Sequence, residues 1–217
     1  MYPEVLPSTT VNALARLRRA RVIASFLLGG GTALALQLGH RLSKDLDFFA
    51  RVAFTEERLV QRLVACCDFQ LARRGKGTVG GWIEDTWLSF LYAPFPLLDT
   101  PKEVPDLTLR LLSLPDLAAM KVLAVAQRGS RRDFIDLYVL HHQAGLSLEQ
   151  AVVWFRQKYA DQNYNLAHVL RALGYLEDAE SEPMPTMLRP LSWHDVRVFF
   201  LTESRRLMAF YLRGGAI

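Results

Sequence analysis

Cysteine is nearly absent from this chain, and the two that occur, Cys66 and Cys67, are adjacent on a stretch that reads as helix. Adjacent thiols without a CxxC partner suggest neither a disulfide framework nor a zinc site, so apolar packing is their expected role. The five histidines contain no HExxH pattern, which points the same way. Long hydrophobic runs are lacking too. The longest uncharged stretch, residues 24 to 39, is too short and too rich in glycine to span a bilayer. No segment reads as a signal peptide, since Met1-Tyr2-Pro3-Glu4 lacks a basic start; a cytoplasmic location with no membrane partner is expected. Neither GxxxxGK[ST] nor GxGxxG is present, so a P-loop or a dinucleotide fold is not supported. Repeats and low-complexity tracts are absent.

What is present suits one core or two small subdomains: 217 residues, 51% hydrophobic and 22% charged. Thr9 or Thr10 is expected to cap a first helix running to about Arg21, and Thr55, ahead of Glu56 and Glu57, a second running to about Cys67. Residues 69 to 112 read as β-rich, with Gly75-Lys76-Gly77 and Gly80-Gly81 as turn signals. Strands are expected around Ser89 and over residues 107 to 112, with a proline-containing loop between them. From Ser113 onward the pattern is helical, and Ser113 to Asp116, Ser147 to Gln150 and Ser192 to Asp195 each fit a capping box. The fold class is therefore α/β (α+β): residues 1–112 form a mixed sheet with flanking helices, and residues 113–217 form a helical region.

The most informative stretch is Gly29-Gly30-Gly31-Thr32 followed by Ser43-Lys44-Asp45-Leu46-Asp47-Phe48-Phe49. Strand side chains alternate between faces, so Asp45 and Asp47 project together while Leu46 and Phe48 face the other way. Two like charges held together are relieved by a hard cation with oxygen ligands, and magnesium takes one or two carboxylates and completes its shell with water and substrate phosphates. The glycines let the backbone turn sharply and approach phosphate, and the amides opening the apolar helix from Thr32 to Leu38 are available to an anion. Ser43 reads first as a turn or cap residue. His40 and Arg41 read as rim residues, with Arg41 able to meet a phosphate.

The segment GGGTALALQLGHRLSKDLDFF resembles the signature of the AbiEii-type nucleotidyltransferases, relatives of DNA polymerase beta that include toxins of toxin–antitoxin systems. A second block, DLAAMKVLAVAQRGSRRDFIDLYVL, resembles that family's later Lys and Asp motif, and the two span roughly residues 20 to 145. The resemblance implies a polymerase-beta-like core over residues 1–112. It implies that Asp45 and Asp47 bind Mg2+ or Mn2+ and that Gly30, Gly31 and Thr32 contact a nucleoside triphosphate, with Ser43 beside them. It further implies that Lys121 contacts the triphosphate, that Asp133 and Asp136 belong to the catalytic set, that RNA, above all tRNA, is the acceptor, and that a cognate antitoxin is a partner.

Other readings stand beside these. Ser130 to Asp133 also fits a capping box, Asp136 also reads as a buried partner of Arg132, and Lys121 interrupts an apolar run where a charge needs a partner. The strand around Ser89 offers no third carboxylate; Glu84, Asp85, an acid of the 133–136 helix, or none fills that place. A nucleotide-binding module without turnover, or transfer to a protein or small molecule, is the alternative function. A net charge of +4 is compatible with a polyanionic partner, and of four basic clusters the one at Arg128, Arg131 and Arg132 ranks first.

Overall fold

In this computed structural model, which describes residues 1–215, the chain separates into two units: residues 1–37 with 42–113, and residues 38–41 with the chain from Leu114 onward. The first unit holds α1 (Ser8–Arg19), β1 (Leu27–Gly29), α2 (Gly30–Leu38, but for its last residue), β2 (Leu46–Ala50), α3 (Glu56–Cys67), β3 (Gln70–Gly75), β4 (Thr78–Ile83), β5 (Thr86–Tyr92), β6 (Lys102–Val104) and β7 (Leu109–Leu111). Its seven strands form one mixed sheet in the order β3-β4-β5-β2-β1-β7-β6. β2 runs antiparallel to β1 and parallel to β5, and β1 runs parallel to β7.

Alternation along β2 decides which face is covered. Leu46, Phe48 and Ala50 are buried while Asp47 and Phe49 are half-buried. On the covered face Phe48 stacks on Phe90 with centroids 5.1 Å apart, and Phe26 meets both edge-on. α1 and α3 turn Leu14, Leu17, Leu59 and Leu63 inward. α1 stops at Arg19, and two residues later Arg21 has a φ of 51°, which a right-handed helix cannot continue. Thr10 does not cap α1: it is buried, and its hydroxyl donates to the Lys44 carbonyl at 3.1 Å.

The expected turn at Gly80-Gly81 is corrected. Both glycines lie inside β4, where a Cβ on Gly81 would stand 2.2 Å from the Gln70 carbonyl oxygen. In a strand, glycine marks a close approach of neighbouring chain as well as a turn. The reversal falls instead at residues 84 and 85.

The second unit is helical: α4 (Leu114–Gln127), α5 (Arg131–Ala144), α6 (Leu148–Lys158), α7 (Leu166–Ala172), α8 (Glu177–Ser181) and α9 (Trp193–Leu212). Phe134 of α5 meets Phe200 of α9 edge-on, centroids 4.9 Å apart. Of the expected caps, Ser147 accepts from the Gln150 amide at 3.0 Å, whereas Ser192 makes no such bond. Asp116 is fully buried and accepts from Lys158 Nζ at 2.6 Å, joining α4 to α6 through an ion pair. No helix among the described residues is long and apolar enough to cross a membrane.

Candidate active site

The β1–α2 turn is built around missing side chains. A Cβ on Gly29 would lie 2.5 Å from the Phe49 ring, and one on Gly30 would lie 2.3 Å from Asp47 Oδ2. Gly30 also has a φ of +63°, which L side chains rarely adopt. The glycines therefore turn the chain and let the Asp47 carboxylate lie against the start of α2, whose first amides lack intrahelical partners. A Gly30→Ala variant is expected to lose about 1–2 kcal/mol from its left-handed backbone alone, and to displace Asp47. Thermal melting together with a binding assay for a nucleoside triphosphate checks this; unchanged melting and binding would remove the steric argument.

Register gathers the rest of this set in the first unit. Asp47 lies opposite Gly29 on one side and Ser89 on the other, and the Ser89 hydroxyl donates to Asp47 Oδ1. Thr32, 1% exposed, donates its hydroxyl to the Asp45 carbonyl and lies 2.7 Å from the Ser43 hydroxyl. The Thr32 side chain thus fixes the backbone at Asp45, and its amide is the group left to an anion. Gly30, Gly31, Thr32, Ser43, Asp45 and Asp47 accordingly share one neighbourhood. On β5 the residue opposite Asp47 is Ser89, not an acid, and Glu84 is paired with Arg16 at 2.8 Å.

The donor chemistry fits a hard cation. Asp45 and Asp47 are half-buried carboxylates flanking one strand residue, and no group of three or more His, Cys, Asp or Glu side chains converges among the described residues. Two carboxylates, with water and phosphate completing the shell, suit magnesium or manganese and do not suit a closed zinc site.

Lys121, Asp133 and Asp136 come together in the second unit. Lys121 Nζ donates to Asp133 Oδ1 at 2.8 Å and lies 2.7 Å from Asp136 Oδ2. Arg41 grips Asp136 through Nε and a terminal nitrogen at 2.8 and 2.9 Å, and His40 Nε2 lies 2.9 Å from Asp136 Oδ1. Arg128 and Ser130 each donate to Asp133 Oδ2 at 2.8 Å. Two expectations are corrected here. His40 and Arg41 are buried, not rim residues. Asp136 pairs with Arg41 and Lys121. Ser130 makes no side-chain cap to the α5 amides, because its hydroxyl is turned to the Asp133 carboxylate.

Burial favours the neutral forms of Asp133, Asp136 and Lys121, yet the neighbouring charges prevail. Burial pushes the carboxyls of Asp136 and Asp133 up, but Arg41 and Lys121 hold Asp136, and Lys121 and Arg128 hold Asp133, below the usual carboxylate range. Burial pushes the Lys121 ammonium down, and the carboxylates of Asp136 and Asp133 return it above its ordinary value. The Arg128 cluster ranked first from the sequence is largely committed within the unit: Arg128 to Asp133, and Arg131 to the carbonyls of Ala179 and Glu180 at 2.8 Å.

Comparison with known proteins matches residues 12–81 and 90–204 to the family described as nucleotidyl transferase AbiEii toxin, type IV TA system. An uncharacterized protein of Aquifex aeolicus is 31% identical over 190 residues, covering 87% of this chain and 90% of that protein. Among solved structures, the nucleotidyltransferase toxin MenT4 of Mycobacterium tuberculosis aligns with a TM-score of 0.50 at 17% identity, over 94% of this chain and 89% of that one. The antibiotic-resistance factor ANT(2″)-Ia aligns with a TM-score of 0.54 at 16% identity, over 71% of this chain and 95% of that one. At these identities the two structures speak for the fold alone.

Proposed function

This chain belongs to the AbiEii family of nucleotidyltransferase toxins, and we propose that it transfers a nucleoside monophosphate, with magnesium or manganese, from a nucleoside triphosphate to a hydroxyl of RNA, with tRNA the favoured acceptor. The observation that carries the reading is the Asp47 carboxylate lying against Gly30 at the start of α2, which supports a cation ligand set beside a turn able to take phosphate. Asp45 and Asp47 would hold the cation. The amides of Gly30, Gly31 and Thr32 receive the phosphates, while Thr32 and Ser43 fix the Asp45 backbone and Ser89 orients Asp47. When bound, the cation supplies neutralisation of charge on the phosphoryl oxygens. The acceptor oxygen bonds to the α-phosphorus, pyrophosphate leaves with the bridging oxygen, and the hydroxyl proton passes to solvent.

Lys121, Asp133 and Asp136 enter the proposal as one set. Delivery of Lys121 to a triphosphate requires its ammonium to exchange a carboxylate for a phosphate oxygen; otherwise the set acts by positioning Arg41 and α5. A cognate antitoxin is the protein partner, and the cytoplasm the site of action.

The test is incubation with each α-labelled nucleoside triphosphate, magnesium and total cellular RNA, beside an Asp45→Asn/Asp47→Asn control. The expected result is label in RNA only with both acids intact and only without chelator. Label on protein redirects the acceptor. Triphosphate binding without pyrophosphate release supports a module without turnover, a reading favoured by the residue opposite Asp47 on β5 being Ser89, not an acid. Absence of any triphosphate binding would sink both readings.

A further inference from the structure

The sheet face that carries Asp47 has a feature that phosphate and metal binding do not use. Ser89 lies opposite Asp47, Gly80 opposite Ser89, and Arg73 opposite Gly80, so all share one face. Trp87, two residues before Ser89, is on that face about 7 Å along the strand, and it pairs across to Trp82. The two indoles meet edge to face with centroids 4.9 Å apart, and the Arg73 guanidinium lies 5.6 Å from the Trp87 centroid. Trp82 is 39% exposed, and Arg73 is exposed with no carboxylate partner among the described residues. Gly80 makes the room: a Cβ there would stand 2.9 Å from both Arg73 Nε and the Trp87 ring.

We propose that Trp82, Trp87 and Arg73 form a stacking platform for an unpaired base of the RNA acceptor. The inference rests on the RNA-acceptor reading. The exposed Trp82 and half-buried Trp87 offer indole faces that bind any base through its π-face, an adjacent arginine adds a cation–π contact and attracts the phosphate backbone, and Arg74 and Lys76 extend the charge along the same strand and turn. An acceptor is favoured over the triphosphate by sidedness. The phosphate turn follows β1, on one side of Asp47, whereas the platform stands on the other side, across β5 and β4. In-line displacement requires the entering oxygen to come from opposite the leaving one. Trp82 and Trp87 both fall within residues 82–89, between the two stretches that match the family.

The experiment compares the full chain with Trp82→Ala, Trp82→Phe and Arg73→Gln variants. It measures affinity for a fluorescent single-stranded oligoribonucleotide, affinity for the triphosphate, and KM against kcat for RNA labelling, with melting temperature as the control for folding. Trp82→Ala is expected to weaken oligonucleotide binding roughly tenfold, raising KM for RNA while kcat and triphosphate affinity hold, and Trp82→Phe is expected to restore most of it. Arg73→Gln should weaken binding and flatten its salt dependence. RNA that binds and is labelled equally well by all variants overturns the platform and leaves the RNA-acceptor reading standing. A loss confined to triphosphate affinity assigns the rings to the nucleotide and overturns the proposal. Failure of the parent protein to bind any RNA overturns both.

Discussion

An Asp47→Asn variant is expected to fold like its parent and to lose nucleotidyl transfer by roughly 10²–10³-fold, the rate equivalent of several kcal/mol of charge stabilisation at the transition state. Asparagine keeps the shape of the side chain and an oxygen that can still accept from Ser89, so the hydrogen bond across β2 and β5 survives. Only the charge is lost. Relief of repulsion with Asp45, two residues away, offsets any weakening of that bond, and the melting temperature should move by no more than about 2 °C. A Ser89→Ala variant separates charge from orientation: the carboxylate remains but is less constrained, and a loss of about tenfold is expected, in keeping with one charge-assisted hydrogen bond. Steady-state labelling of RNA, with melting curves on the same preparations, checks all three statements. An Asp47→Asn enzyme that kept roughly a tenth or more of the parental rate would remove Asp47 from the metal site.

An Asp136→Ala variant is expected to lose stability on a scale no surface change reaches, about 3–5 kcal/mol, because it strands Arg41 and Lys121 in a buried place without their shared carboxylate. For a chain of this length that corresponds to a fall in melting temperature of roughly 6–20 °C. The pH profile follows from the directions of the shifts. Asp133 and Asp136 are depressed from 3.8, so their contribution is fully present above that value and is lost as pH falls below it toward their folded values. Lys121 is raised from 10.5, so its contribution is fully present below that value and is lost as pH climbs through its folded value. Melting temperature should therefore hold between these limits and fall outside them, with a shallower acid limb in Asp136→Ala. A variant that melts within about 2 °C of the parent would show that the cluster holds little together.

Much of the first unit was legible because its signals are local. The alternation of DLDFF predicts a strand with Leu46 and Phe48 on its covered face, and β2 bears this out for Leu46–Ala50, while Asp45 stands just before the strand. Three glycines ahead of an apolar run specify a tight turn into a helix, because only glycine takes a φ of +63° without strain. The same locality misled at Gly80-Gly81, where glycine answers a neighbouring chain and Arg73 across the sheet, and no window of a few residues contains either. Capping patterns behaved alike: Ser147 caps as its spacing dictates, while Ser130 has the right spacing but faces a carboxylate already held by Lys121 and Arg128.

By itself, then, the sequence determined the α/β and helical halves, the tight glycine turn into a helix and the family, all of which rest on periodicity, backbone preference or contiguous motif. Tertiary structure alone decided that Ser89 stands against Asp47 from 42 residues away, that His40 and Arg41 are buried on Asp136 from 96 and 95 residues away, and that Trp82, Trp87 and Arg73 share a face. Those pairings depend on strand register and on which buried charge finds a partner, and both are settled only when the core closes, since a one-residue slip would move every side chain to the opposite face.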